Sequence, residues 1–153
     1  MTFLDVASLT TRYQTSKGQV HALEDVNFSL EKGESIGIAG ESACGKSTLG
    51  LSLIRMIQGG KIISGKITFD GESILDLKES TFDNNYRWKK ISMVFQGAMN
   101  SLDPVYTIKQ QFIEVLKEHD YTGDSEKLIL DSISSVNLDE SVQKNILMNL
   151  AEE

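Results

Sequence analysis

The chain has 153 residues, 40% of them hydrophobic, with a formal net charge of −7 and a single cysteine. That acidic balance argues against a nucleic-acid partner, whose phosphates need a basic surface. One cysteine excludes an internal disulfide, no apolar run reaches membrane-spanning length, and the N-terminus carries no signal pattern.

The first third reads as strands. Phe3 to Leu9 and Val20 to Leu23 are strand material. Val26, Phe28 and Leu30 alternate with Asp25, Asn27, Ser29 and Glu31, the period-2 pattern of a half-buried strand. Lys32-Gly33-Glu34 is a turn, and the uncharged Ser35-Ile36-Gly37-Ile38-Ala39 is expected as a buried parallel strand.

Residues Gly40-Glu41-Ser42-Ala43-Cys44-Gly45-Lys46-Ser47-Thr48 follow at once and complete the pattern G-x-x-x-x-G-K-[ST]. A loop of backbone N–H groups, a lysine and a helix N-terminus together suit a nucleotide polyphosphate. A helix is expected from Lys46 to Ile57, with Leu49, Leu53, Met56 and Ile57 on one face, ended by Gly59-Gly60. Lys66 to Phe69 alternates again and closes on the turn pair Asp70-Gly71. Ile91 to Phe95 reads as another buried strand.

After Pro104 the period lengthens. Ile108, Phe112, Val115 and Leu116 share a helical face, as do Ile129, Ile133 and Val136, then Val142, Ile146 and Leu150. The expected organisation is an α/β front over 1–104 and a helical subdomain over 105–153. Leu128-Ile129-Leu130-Asp131 imitates a strand ending in aspartate, but its period is helical. Asp120-Tyr121-Thr122-Gly123 imitates a GTPase motif, yet no Asn-Lys-x-Asp accompanies it, which disfavours a GTPase or small kinase. His21, His119 and Trp88 show no metal-ligand spacing.

Four stretches in this order resemble the ATP-binding domain of ABC transporters, most closely the ATPase subunits of oligopeptide, dipeptide and nickel importers. They are Tyr13-Gln14-Thr15 with Gly18 to Leu23; Gly37 to Thr48; Gly65 to Gly71; and Ile91 to Gln96 with Met99 to Val105. The resemblance implies a P-loop NTPase fold, a RecA-like core with an antiparallel β subdomain, followed by the start of an α-helical subdomain. That family's Leu-Ser-Gly-Gly signature, its Asp-Glu strand and its switch histidine are not among these residues. The expectation is therefore the N-terminal part of an incomplete domain, marginal in stability or self-associating unless covered.

The same resemblance implies the ligands, ATP and Mg²⁺. Gly40, Glu41, Ser42, Ala43, Cys44, Gly45, Lys46, Ser47 and Thr48 would cradle the phosphates, with the Lys46 ammonium at the β- and γ-phosphates. The Ser47 hydroxyl would ligate the metal and Thr48 would donate toward the α-phosphate. Tyr13 matches the aromatic that stacks on adenine, and the plain alternative is a strand tyrosine. Gln96 matches the residue that touches Mg²⁺ and senses the γ-phosphate, on a loop that meets the membrane subunit; the alternative is a structural amide. Ala43 and Cys44 stand where the family usually has glycine and serine. The pattern leaves both positions free, so binding is expected to survive unless position 43 needs a positive φ. Cys44 is either a small stand-in for serine or an alkylation-sensitive thiol shielded by nucleotide.

The resulting expectation is the ATP-binding portion of an importer's ATPase subunit. It would sit peripherally on the cytoplasmic membrane face and work with transmembrane permease subunits and a second ATPase subunit. These residues alone would bind Mg-ATP weakly without hydrolysing it. A non-hydrolysing ATP-binding or interaction module is the alternative.

Overall fold

A computed structural model describes residues 2–97 and 102–145. The chain divides into two compact units, the first ending at Met93 and the second starting at Val94.

The first unit is built on a four-stranded antiparallel sheet. Strands β1 (Thr2–Thr15), β2 (Gly18–Glu31), β3 (Gly60–Phe69) and β4 (Glu72–Ser73) lie in the order β2-β1-β3-β4. β1 is central, pairing Val6 with Phe28 of β2 and with Ile67 of β3. The alternation expected over Val26 to Leu30 appears as half-buried positions between exposed ones. Asp70 and Gly71 both have positive φ (48° and 83°), the twist a two-residue hairpin turn requires.

Register shifts interrupt β1 on both sides between Val6 and Thr11. Ser8 and Asp25, both at φ 49°, mark where the chain departs from the ladder. Asn27 secures this irregularity: its side-chain oxygen accepts from the Ser8 N–H at 2.8 Å and its amide donates to the Asp25 carbonyl at 2.6 Å.

Helix α1 (Lys46–Leu53) and helix α2 (Glu79–Asn85) complete this unit. Val6, Leu9, Leu23, Leu49, Ile67, Phe69, Ile74, Phe82 and Tyr86 form its core. Burying such side chains is the main source of stability, at about 1.5–3 kcal/mol each. The Phe82 ring stacks on Tyr86 with centroids 5.7 Å apart. The Arg55 and Arg87 guanidinium carbons lie 4.8 and 5.2 Å from the Phe82 centroid, and both arginines bond the Glu79 carboxylate.

Three expectations are corrected. Residues 35–39 form no strand, and Ile36 and Ile38 are 46% and 49% exposed. A parallel strand needs neighbours to complete its hydrogen bonds, and every ladder among the described residues is antiparallel and pairs other segments. Ile91 to Phe95 is likewise no strand: Ile91 makes a lone bridge to Arg87, and Val94 is 88% exposed.

Helix α1 stops at Leu53, well short of Gly59-Gly60. Arg55 takes a left-handed φ of 56°, its N–H bonds the Ser52 carbonyl, and the Met56 N–H bonds the Leu51 carbonyl. This is a Schellman stop with arginine where glycine is usual. The guanidinium's bonds to the Ile74 and Leu77 carbonyls offset the backbone cost. Met56, expected on the packed face, is 41% exposed as a result.

In the second unit, α3 (Ile108–Glu118) and α4 (Ser125–Ser135) form where helical periods are expected, although Val115, expected on the packed face of α3, is exposed. Thr107 and Gln110 close a capping box on α3, and the Asp124 carboxylate caps α4. Leu128 to Asp131 is helical, with Ile129 and Ile133 buried. Val136 lies past the end of α4 and is 62% exposed. Val142 falls in a 3-10 turn (Glu140–Lys144); Ile146 and Leu150 lie outside the described residues, as do Met99, Asn100 and Ser101. Among the described residues no helix is long and apolar enough to cross a membrane.

Candidate functional site

The loop from Gly40 leads straight into α1, whose N-cap is Gly45. Ala43 and Gly45 flank Cys44 with φ of 64° and 99°. Left-handed residues in such a run turn successive N–H groups toward a common centre, the geometry of an anion nest. The helix adds the positive end of its dipole at the same place.

Gly45 is required by packing as well as by φ. A Cβ there would stand 2.4 Å from the Ala22 carbonyl oxygen and 3.1 Å from a Leu23 methyl. The loop is thus seated directly on β2. Lys46 turns back over the loop: its Nζ donates to the carbonyls of Gly40 at 2.7 Å and Glu41 at 2.6 Å, with Cys44 Sγ at 3.4 Å. The ammonium is therefore held inside the ring of main chain that precedes it. Ser47 is exposed in the first helical turn.

Tyr13 lies near the end of β1, paired with Gly60 of β3 and Val20 of β2. A Cβ on Gly60 would come within 2.8 Å of the Tyr13 ring, so glycine lets the ring lie against the neighbouring strand. The Tyr13 hydroxyl reaches Thr48 Oγ1 at 3.5 Å, the outer edge of hydrogen bonding. The first unit therefore brings Tyr13 together with the loop and the first turn of α1. Gln96 belongs to the second unit, where it is exposed.

Sequence reasoning missed three contributors to this arrangement: Ala22, which limits position 45, and the buried hydroxyls of Thr11 and Ser52. The one local hint was a serine four residues after Thr48, a spacing that allows a bond to the preceding turn's carbonyl.

Fold and loop together define a P-loop NTPase domain of the ATP-binding cassette class. The family described as ABC transporter matches residues 23–152. The chain belongs to that family.

Among its relatives, a probable peptide ABC transporter ATP-binding protein of Sinorhizobium fredii is 38% identical over 127 residues, covering 82% of this chain and 38% of that protein. The oligopeptide transport ATP-binding protein OppD of Escherichia coli is 41% identical, covering 76% of this chain and 34% of OppD. The dipeptide transport ATP-binding protein DppD of Lactococcus lactis is 39% identical, with shares of 76% and 33%. The chain thus spans about a third of the length of these relatives. A solved dimeric bacterial ABC transporter cassette matches with a TM-score of 0.77 at 26% identity, covering 92% of this chain and 60% of the cassette. A structure of the same cassette bound to ADP and Pi superposes at a TM-score of 0.79 and 24% identity, covering 94% of this chain and 61% of that one.

Proposed function

We propose that the chain binds Mg-ATP through residues 40–48 and Tyr13, as the nucleotide-binding portion of an importer ATPase subunit for oligopeptides or dipeptides. The observation that carries this reading is the loop itself. Left-handed Ala43 and Gly45 turn the backbone around a helix N-terminus while Lys46 is tied to the Gly40 and Glu41 carbonyls of the same loop. The names of the three relatives given above, each a peptide, oligopeptide or dipeptide ATP-binding protein, support the choice of cargo. Nickel, carried by another branch of the resemblance, is the second cargo.

The donor set fits a magnesium polyphosphate. Main-chain amides and one ammonium suit phosphate oxygens, and the exposed Ser47 hydroxyl is a hard oxygen ligand of the kind Mg²⁺ selects. Ser47 would hold the ion, which neutralises polyphosphate charge when bound. Lys46 contributes a fixed positive charge, and the amides contribute dipoles that need no rearrangement. Tyr13 supplies an aromatic face for the base, tolerant of base identity and worth about 1–3 kcal/mol.

The reading keeps the division into a nucleotide-binding part over 1–104, whose Gln96 loop would face permease subunits, and a helical part over 105–153. A second ATPase subunit and a peripheral place on the cytoplasmic membrane face belong to the same proposal. Hydrolysis needs an oriented water and balanced charge at the γ-phosphate. These 153 residues alone are proposed to bind the nucleotide weakly without turnover. Calorimetric titration of the purified chain with Mg-ATP, paired with a steady-state phosphate-release assay, tests this. Saturable binding without turnover is expected; transporter-like ATPase rates from the chain alone, or no binding at millimolar ATP, would contradict it.

A further inference from the structure

We propose that Thr11 and Ser52 are positioning residues for the nucleotide, a buried hydroxyl clamp that fixes the spacing between the Tyr13 ring and the phosphate loop. The inference rests on the reading of both groups given under Proposed function.

Both side chains are fully buried, at 0% exposure, and their hydroxyl oxygens are 3.2 Å apart. Ser52 Oγ also donates to the Thr48 carbonyl at 2.7 Å. A hydroxyl has one proton, so Thr11 must be the donor to Ser52. The bonds run in one direction, from β1 through Ser52 to Thr48. Tyr13, two residues beyond Thr11, closes the ring by reaching the Thr48 side chain.

The contacts therefore form a circuit of strand from Thr11 to Tyr13, Tyr13 to Thr48, helix from Thr48 to Ser52, and Ser52 back to Thr11. Thr48 is both the last residue of the loop motif and the residue tied at its carbonyl and its hydroxyl. The circuit also lies where β1 is irregular, with register shifts on either side of Thr11. A bulged strand is free to twist. Packing alone would be served as well by two apolar side chains, without the desolvation cost of buried hydroxyls. Hydrogen bonds add direction, which here fixes the helix against the strand that carries the base platform.

Binding of Mg-ATP and of magnesium tripolyphosphate to the purified chain separates positioning from packing, because tripolyphosphate engages the loop without the base. Thr11→Val and Ser52→Ala are each expected to weaken ATP about threefold to tenfold while leaving tripolyphosphate within about twofold. Thr11→Ser, which keeps the hydroxyl, is expected to restore ATP affinity. The double variant Thr11→Val with Ser52→Ala removes both partners, should disturb folding least, and is expected to show the same selective loss. Equal losses for both ligands, or none for either, overturn the clamp. Tyr13→Ala serves as the reference. If it too fails to separate ATP from tripolyphosphate, the platform reading falls along with the clamp. If Tyr13→Ala separates them and the hydroxyl variants do not, the clamp alone is wrong.

Discussion

Gly45 faces the carbonyl oxygen of Ala22 so closely that a single added carbon would overlap it, at 2.4 Å. The loop and β2 are therefore one packed object. Because Gly45 also holds a φ of 99°, Gly45→Ala faces a clash and backbone strain together. It is expected to lower stability by about 2 kcal/mol or more, read as a drop in denaturation midpoint at unchanged slope. A variant as stable as the parent would show that the loop does not rest on β2.

Position 43 carries the opposite expectation. Alanine there sits at φ 64°, a conformation that costs an L-residue about 1–2 kcal/mol and glycine almost nothing. Ala43→Gly should stabilise the folded chain by up to about 1 kcal/mol after glycine's larger unfolded-state entropy is counted. Thermal melts of the two proteins decide it, and a lower midpoint for the glycine variant would argue that position 43 is not strained.

Cys44 is exposed, and its sulfur lies beside the Lys46 ammonium that the nucleotide would engage. Saturating Mg-ATP should therefore slow modification of Cys44 by a thiol reagent several-fold. Equal labelling rates with and without nucleotide would place the thiol away from the ligand.

Tyr86 introduces a dependence on alkaline pH. Its hydroxyl donates to the Glu72 carboxylate, and that bond first, then burial and the charges of Glu72 and Asp70, pushes its pKa up to about 12. The folded state holds this proton more tightly than the unfolded chain, whose tyrosines titrate at about 10. The contribution is complete below about pH 10 and is lost as pH rises toward about 12. Glu72→Gln removes the charged acceptor and should cost about 1 kcal/mol at neutral pH. Denaturant titrations at several pH values should show that difference shrinking through the alkaline window; a constant difference would contradict the assignment.

Much of this molecule is legible in its sequence because the relevant signals are local. The phosphate loop is nine consecutive residues, and the alternation of Val26, Phe28 and Leu30 needs only its own strand. The two helices of the second unit follow from spacing, and their caps at Thr107 and Asp124 lie beside them. What escaped is what depends on remote partners. Residues 35–39 have the composition of a buried strand, but a strand is made by its neighbours, and none among the described residues pairs with it. Helix α2 reads Glu-Ser-Thr-Phe-Asp-Asn-Asn, with one apolar side chain and so no period, yet Phe82 is wholly buried between aromatic and guanidinium partners. Arg55 ends α1 through carbonyls of Ile74 and Leu77, about twenty residues away. Thr11 and Ser52 are 41 positions apart, and nothing near either one announces the other.

The central claim is that main-chain amides of residues 40–48 and the Lys46 ammonium together grip a nucleotide's phosphates. Equilibrium binding of a fluorescent adenine nucleotide in the presence of magnesium, to the parent chain and to Lys46→Ala, tests it most directly. The account predicts a saturable signal for the parent, displaced by unlabelled ATP, and at least a roughly tenfold loss for the variant, the scale of one charge-assisted contact to phosphate. An absent signal in the parent, or equal affinity in Lys46→Ala, would contradict it.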